Sequence, residues 1–295
     1  MSITAGMVKE LRETTGAGMM DCKKALAETN GDMEAAIEFL RKKGMAGADK
    51  KAGRVAAEGV IAIAVSDDKK KAAIAEVNCE TDFVAKGDEF KDFANEVAQI
   101  ALKTGSTDIE ALYGETMANG KTIDERRREL IAKIGENMAV RRLELVETNG
   151  QIGQYQHGEK IGVVVDMTGG DESLSRDVAM HIAALKPTAV SADNVDQEVI
   201  EKERRFQIEQ AQESGKPMEI IEKMIEGRMR KFLQEITLVG QSFVKNPDVT
   251  IEKLLKDNNA SVAKFIRLEV GEGIEIEETN FADEVAAAAK AALGG

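Results

Sequence analysis

The sequence predicts an α+β fold in which a β-β-α-α-β unit occurs twice, with antiparallel sheets, after a group of N-terminal helices. Short apolar or alternating segments, typical of strands, are interspersed with longer segments whose apolar residues recur at the helical spacing i, i+3, i+4, i+7. The two predicted units also end on similar strands, RLELV at 142–146 and RLEV at 267–270. This order of elements favours mainly antiparallel pairing, with the helices on one face of each sheet.

Residues 1–54 are predicted to form a three-helix domain similar to ubiquitin-associated domains. Thr4 can cap the first helix, and Asp32, after the turn signal Asn30-Gly31, can cap the third. We expect the third helix to end at Gly44 and the small, polar segment 46–53 to be a linker. Because fewer than about fifty residues bury only a small core, this domain is expected to dock on the rest of the chain.

Residues 55–149 are predicted to be the first repeat of the core. Its expected elements are strands at 60–65 and 73–78, helices at 88–103 and 123–137, and a strand at 140–146. The first helix has an apolar stripe at the helical spacing, consisting of Phe90, Phe93, Ala94, Val97 and Ala101. We expect a two-layer unit with this stripe facing the sheet.

Residues 150–189 and 239–273 are predicted to be the second repeat, with strands at 152–156, 161–167 and 262–270 and helices at 174–185 and 251–258. The insertion 190–238 reads as an antiparallel coiled-coil hairpin, because helical segments flank the break SGKP at 214–217. Arms of roughly 18 residues would reach about 27 Å. The hairpin is either an interaction arm or an inert strut. Residues 274–295 are predicted to form a C-terminal helical module, with an Ala-rich amphipathic helix at 280–292.

Composition narrows the class of partner. The formal net charge of −13 argues against nucleic acid, because affinity for it comes from neutralising phosphates with Lys and Arg. Arg126, Arg127 and Arg128 form a tight basic run with acidic neighbours, and we expect a solvated helix face there. No apolar run approaches the length of a membrane span. Two cysteines far apart and the absence of a leader pattern predict a reduced, cytoplasmic protein.

Catalytic and metal-binding patterns are not evident. Of the two histidines, His181 lies among apolar residues and is predicted to be partly buried, whereas His157 is predicted on a turn where it could touch a partner. Neither has the matched Cys or carboxylate spacing of a zinc site. There is no nucleophile elbow and no phosphate-binding GK[ST] loop. The sequence therefore predicts a protein that is not an enzyme and needs no metal or cofactor.

The most informative segment is EVNCETDFVAK at 76–86. It leaves a predicted strand, becomes polar, and places Asp82 beside Phe83 before Gly87 opens a helix whose apolar stripe does not include Phe83. The chain has nine Phe, two Tyr and no Trp, so an aromatic residue in a polar connection calls for an explanation. Either Phe83 and Val84 pack back on the helix as a staple, or Phe83 inserts into a partner.

The segment 76–86 resembles the second signature of the translation elongation factor Ts family, and LRETTGAGMMDCKKAL at 11–26 resembles its first. The resemblance extends from Ile3 to 271–275 and beyond. It implies a guanine-nucleotide exchange factor that binds elongation factor Tu·GDP, prefers the nucleotide-free state and promotes GDP release during translation elongation. It assigns the disturbance of the Mg²⁺ and phosphate site of elongation factor Tu to Thr81, Asp82, Phe83 and Val84.

The resemblance also implies further partner contacts at Met19, Met20, Lys23 and His157, although both methionines could instead fill the small N-terminal core. The hairpin could mediate self-association. Two other functions stay open: a scaffold or adaptor without exchange activity, which would not depend on Phe83, and an acid/base enzyme using His157, which would need a substrate pocket.

Overall fold

A computed structural model describes residues 3–212 and 217–275; the predicted helix at 280–292 lies outside them. The chain begins with three helices, α1 (Ala5–Thr15), α2 (Met19–Glu28) and α3 (Met33–Lys51). As expected from the cap signals, Thr4 accepts a hydrogen bond from the Met7 amide and Asp32 accepts one from the Ala35 amide at 3.0 Å. The three helices share a small core formed by Val8, Leu11, Cys22, Ala25, Leu26, Ala36 and Leu40.

The first repeat contains an antiparallel sheet of β1 (Glu58–Val65), β2 (Lys71–Cys79) and β3 (Met138–Glu147), with β2 in the centre. Four helices connect β2 to β3: α4 (Asp82–Ala85), α5 (Asp88–Thr104), α6 (Ile109–Tyr113) and α7 (Ile123–Ile134). Helices α5 and α7 were expected, whereas the short helices α4 and α6 were not. The apolar stripe of α5 is buried in the same core as the small side chains of β2, Ala73 and Ala75.

The second repeat begins with β4 (Gln151–His157), β5 (Ile161–Thr168) and α8 (Glu172–Leu185). After a 3₁₀ turn come α9 (Gln197–Gln212), α10 (Met218–Ile236), the two-stranded ribbon of β6 (Ser242–Phe243) and β7 (Asn246–Thr250), then α11 (Ile251–Asp257) and β8 (Ser261–Glu269). The main sheet has the order β4-β5-β8 and is antiparallel. Its strand order matches that of the first sheet, in agreement with an α+β fold.

The faces of the two sheets that carry no helices pack against each other. Their shared core contains Ile61 and Ile74 from the first sheet and Val164 and Ile266 from the second. The approach is so close that a Cβ on Gly162 would lie 2.4 Å from Cγ2 of Ile61. The prediction of helices on one face of each sheet holds, and the opposite face is buried by the other sheet.

A bulge in each sheet fixes how the repeats correspond. In the first sheet the register shifts just after the pair Glu76–Arg142, and in the second just after the pair Asp166–Lys264. Aligning the bulges places Arg142 on Lys264. The similar segments RLELV and RLEV had matched Arg142 with Arg267, which lies three residues after Lys264. That match is wrong, because it ignores the register of the strands.

Helix α3 is longer than expected. It does not end at Gly44, and most of the predicted linker at 46–53 is helical up to Lys51. A Cβ on Gly44 would lie 3.3 Å from Cβ of Ala132 in α7, so this glycine allows the two helices to pack closely. Ala48, further along α3, is buried in the core of the first repeat. These tertiary contacts outweigh the low helix propensity of glycine.

The basic run on α7 is not a solvated face, contrary to expectation. The three arginine side chains are only 14–25% exposed, because α3 and α5 pack beside α7. Arg126 pairs with Glu89 at 2.8 Å, and Arg127 lies over the ring of Tyr113 with Cζ 4.9 Å from its centroid. Arg128 pairs with Asp49 of α3 at 2.8 Å. Arg128 therefore links α7 to α3, whereas Arg126 and Arg127 bind within the first repeat.

Helices α9 and α10 pack against each other around the buried residues Ala211, Ile221, Ile225 and Met229. Arg228 Nη1 in α10 donates hydrogen bonds across to Gln207 at 2.9 Å and Gln210 at 3.0 Å in α9. None of the helices within 3–212 and 217–275 is both long and apolar enough to cross a bilayer.

Candidate functional site

The connection between β2 and α5 is not an irregular loop, because α4 (Asp82–Ala85) forms a single turn of helix there. Thr81 caps it, its Oγ1 accepting a hydrogen bond from the Val84 amide at 3.4 Å. Val84 is buried in the core of the first repeat, whereas Phe83 is 85% exposed. Successive residues of a helix point about 100° apart, so anchoring Val84 directs Phe83 outward. The staple interpretation is therefore wrong for Phe83, while Val84 does pack inward.

The start of this turn is fixed by Glu136, just after α7. Its carboxylate accepts hydrogen bonds from the Glu80 amide at 3.2 Å, the Thr81 amide at 3.0 Å and Thr81 Oγ1 at 2.7 Å. In return, Oε1 of Glu80 accepts a hydrogen bond from the Asn137 amide at 2.6 Å. Sequence reasoning missed Glu136 and Glu80. The available signal was weak: polar residues directly after a helix-ending Gly135.

Asp82 presents a charged carboxylate next to Phe83. Its oxygen accepts a hydrogen bond from Lys86 Nζ at 2.7 Å, one helical turn further on. That hydrogen bond, together with the positive charge of Lys86, lowers the pKa of Asp82 below its ordinary value, and Lys160 contributes further. Asp82 is thus ionised at neutral pH.

The turn between β4 and β5 packs on β1 and on α5, the helix that follows this helical turn. The Glu159 carbonyl accepts a hydrogen bond from the Ile61 amide at 2.8 Å, and its carboxylate pairs with Lys91 of α5 at 2.5 Å. His157, exposed at the end of β4, lies 3.2 Å from the Tyr155 hydroxyl through Nδ1. The turn that follows His157 therefore contacts β1 and α5, and its Lys160 contributes to the lowered pKa of Asp82.

His181 has a different environment. It was expected to be partly buried and is fully buried, with Nε2 3.0 Å from Gln241 Oε1 and Nδ1 accepting a hydrogen bond from the Val244 amide at 3.2 Å. Burial lowers the pKa of His181. This histidine is a structural link between α8 and the segment before β7.

Met19 and Met20 are exposed at the start of α2, and Lys23 is exposed one turn later. The methionines do not fill the N-terminal core, so that alternative is wrong. A Cβ on Gly16, just before them, would lie 3.7 Å from Cδ of Lys133 in the last turn of α7. The segment before α2 thus runs close to the last turn of α7, and Glu136, just after α7, binds the start of the Phe83 turn.

The side chains exposed around the Phe83 turn are suited to binding another molecule. Within 3–212 and 217–275, no cluster of His, Cys, Asp and Glu is arranged to hold a metal ion. An open cleft of about 500 Å³ lies elsewhere, lined by Asp49, Tyr113, Thr122 and Arg127 among others. At the Phe83 turn itself, an exposed aromatic ring lies beside a carboxylate, and the main chain that carries them is held by hydrogen bonds.

Comparison with known proteins gives a consistent result. The family model described as Elongation factor TS matches residues 80–272. Elongation factor Ts of Hydrogenovibrio crunogenus (strain DSM 25203 / XCL-2) is 79% identical over 294 residues, covering 100% of both chains. Elongation factor Ts of Methylococcus capsulatus (strain ATCC 33009 / NCIMB 11132 / Bath) is 61% identical over 292 residues, covering 99% of this chain and 100% of the relative. Elongation factor Ts of Legionella pneumophila (strain Lens) is 54% identical, covering 97% and 98%.

Proposed function

The chain belongs to the elongation factor Ts family, and from this premise we propose that it is the guanine-nucleotide exchange factor of elongation factor Tu. Family membership makes it a translation elongation factor, a component of protein biosynthesis. In the proposed role it binds elongation factor Tu·GDP in the cytoplasm and accelerates GDP release, so that GTP can enter. It makes and breaks no covalent bond and needs no cofactor of its own.

Linkage sets the thermodynamic requirement for such a factor. A protein that lowers the GDP affinity of elongation factor Tu by some factor must bind the GDP form more weakly than the nucleotide-free form by that same factor. The protein therefore needs contacts that the nucleotide-free GTPase accepts and the Mg²⁺·GDP form resists.

Phe83 is the residue proposed to make that contact, and its 85% exposure on an anchored turn is the observation that carries the proposal. Inserted between elements of elongation factor Tu near its Mg²⁺ site, the ring would bury ~150–250 Å². At ~25 cal/mol/Å² this corresponds to roughly 4–6 kcal/mol before the costs of ordering and distortion. Half of that shifts nucleotide affinity by roughly 30- to 150-fold.

The neighbouring residues serve the same step. Asp82 carries a negative charge to the partner's Mg²⁺ site, where it disturbs the network that holds the metal; once Mg²⁺ leaves, the phosphate charge is poorly neutralised. Thr81 and Val84 hold the turn in place: Thr81 caps it, and Val84 anchors it in the core.

Other surfaces supply affinity in this proposal. Met19, Met20 and Lys23 are exposed on α2, and His157 is exposed at the end of β4. We propose that residues 1–54 and the coiled-coil hairpin 190–238 act as separate binding modules on the duplicated core, and that the hairpin also offers a surface for self-association. The net charge of −13 disfavours nucleic acid as a partner.

The test is the release of fluorescent GDP from elongation factor Tu, followed at increasing concentrations of wild type, Phe83→Ala and a control. Leu185→Ala is a suitable control, because it also truncates an exposed apolar side chain but lies at the end of α8. We expect wild type and Leu185→Ala to accelerate release equally and Phe83→Ala to lose at least about tenfold in the saturated rate. If wild type does not accelerate release, the exchange function is wrong and the scaffold function remains. If all three proteins release GDP at equal rates, residues other than Phe83 cause the exchange.

A further inference from the structure

We infer that Glu136 is a positioning residue for nucleotide exchange: it holds the base of the Phe83 turn so that the aromatic ring is presented in one orientation. The inference rests on the proposed exchange function and names a residue outside the 81–84 motif. Glu136 lies 55 residues from Thr81 in sequence and reaches it across the space between α7 and β2.

The contacts form a reciprocal clamp between two short segments, 80–81 and 136–137. The Glu136 carboxylate accepts from both main-chain amides of the first segment and from the Thr81 hydroxyl, with donor–acceptor distances of 2.7–3.2 Å. The Glu80 carboxylate accepts from the Asn137 amide at 2.6 Å. Hydrogen bonds to a carboxylate are shorter and roughly twice as strong as those between neutral groups.

The clamp acts on Phe83 through Thr81. Thr81 Oγ1 donates to Glu136 and accepts from the Val84 amide, so the same hydroxyl joins the clamp to the helical turn. Below it, the Cys79 thiol donates to the Thr81 carbonyl at 3.2 Å. The main chain before Phe83 is therefore held by its amides, its carbonyl and its side chain, while the ring itself is free of the core.

The clamp also reaches the N-terminal helices. Asn137 is buried, and its Nδ2 donates to the carbonyls of Ala52 at 3.3 Å and Arg54 at 2.8 Å, directly after α3. One hydrogen-bonded path thus runs from the end of α3 through Asn137 and Glu136 to the Phe83 turn. A partner that binds both the N-terminal helices and Phe83 meets surfaces that this path joins, which reduces the ordering cost of binding.

The experiment combines Glu136→Gln with Phe83→Ala in a double-mutant cycle on the full chain. Glutamine has the size of glutamate but no charge: with its carbonyl oxygen opposite the main-chain amides of 80–81, its NH₂ group faces Thr81 Oγ1, which loses its acceptor, and all the contacts of the clamp become neutral and weaker. In fluorescent-GDP release from elongation factor Tu, we expect Glu136→Gln to lower the saturated rate about tenfold, with the half-saturating concentration changed by less than about twofold. In the Phe83→Ala background the same substitution should have almost no further effect, because the residue it positions is absent.

Glu129→Gln is the matched control, since it makes the same chemical change within α7, at a carboxylate that pairs with Lys121 and Arg126 and does not contact the clamp. A second readout is hydrogen exchange of the free protein, in which the amides of Glu80 and Thr81 should exchange faster in Glu136→Gln while those of β1 stay protected. A Glu136→Gln variant that releases GDP as fast as wild type overturns the inference but leaves the exchange function intact. The inference is also overturned if Glu136→Gln slows release by the same factor in the Phe83→Ala background as in wild type, because the two residues then act independently. Failure of wild type to accelerate release overturns both.

Discussion

Glu76 is a fully buried carboxylate that joins the two repeats, and its replacement by glutamine tests the energetic account of that junction. It accepts hydrogen bonds from Arg141 Nη1 at 3.0 Å, Asn78 Nδ2 at 3.1 Å and the Gly271 amide at 2.8 Å, and from Arg142 Nε. Asn78 lies in β2, both arginines lie in β3, and Gly271 follows β8. The residue therefore fastens the end of the second repeat to the first sheet.

The expected loss follows from the two changes that Glu76→Gln introduces. It removes the charge from hydrogen bonds worth about 1.5–3 kcal/mol each when charged, and it turns an NH₂ group toward one of the donors. Removing one member of a buried ion pair costs about 3–5 kcal/mol. Arg141 and Arg142 keep 30% and 28% of their side chains exposed and can regain water. The free energy of unfolding should therefore fall by about 2–4 kcal/mol.

Urea unfolding followed by circular dichroism measures this loss. With a slope of about 3 kcal/mol/M, the midpoint for Glu76→Gln should fall by about 1 M with the slope unchanged. Glu144→Gln is the matched control: it neutralises an exposed glutamate of β3 and should change stability by less than about 0.5 kcal/mol. If the two variants unfold at the same urea concentration, the hydrogen bonds of Glu76 do not stabilise the fold.

Three further properties can be checked on the purified protein. Gly162→Ala places a Cβ 2.4 Å from a side-chain atom of the facing sheet and should destabilise by about 1–3 kcal/mol, whereas Gly47→Ala, in open space on α3, should stabilise by up to about 1 kcal/mol; thermal unfolding distinguishes them. Burial lowers the pKa of His181, so the unfolded chain takes up a proton first as the pH falls below about 6.5. Stability should therefore decrease from that pH down to the lower folded pKa, and His181→Gln should lack this part of the pH dependence. Burial, then the nearby carboxylates, raise the pKa of the Cys79 thiol to about 12, and Cys22 is buried too. Neither should react with Ellman's reagent until the protein is unfolded in urea.

The parts of the fold that the sequence predicts are those governed by local pattern. The strand at β2, the apolar stripe of α5 and the caps at Thr4 and Asp32 each depend on residues close together in the chain. Phe83 was recognisable for the same reason, because it falls outside the stripe of the helix that follows it. Its exposure agrees with that interpretation.

The features that were missed depend on contacts distant in sequence. Gly44 suggests a helix end until α7 is seen to pack against it, and the arginines of α7 suggest a solvated face until α3 covers them. Glu136 resembles any acidic residue after a helix, since Thr81, its partner, lies 55 positions earlier. The offset between the repeats could be seen only from the bulges at Glu76 and Asp166, which are properties of strand pairing.

The most direct test of the proposed mechanism is an equilibrium measurement: the affinity of the protein for nucleotide-free elongation factor Tu, compared with its affinity for the Mg²⁺·GDP form. Linkage requires a large preference of wild type for the nucleotide-free form. If Phe83 contributes about 2 kcal/mol to that preference, Phe83→Ala should reduce the ratio of the two affinities roughly 30-fold. An unchanged ratio in Phe83→Ala, or equal affinities of wild type for both forms, would contradict the account.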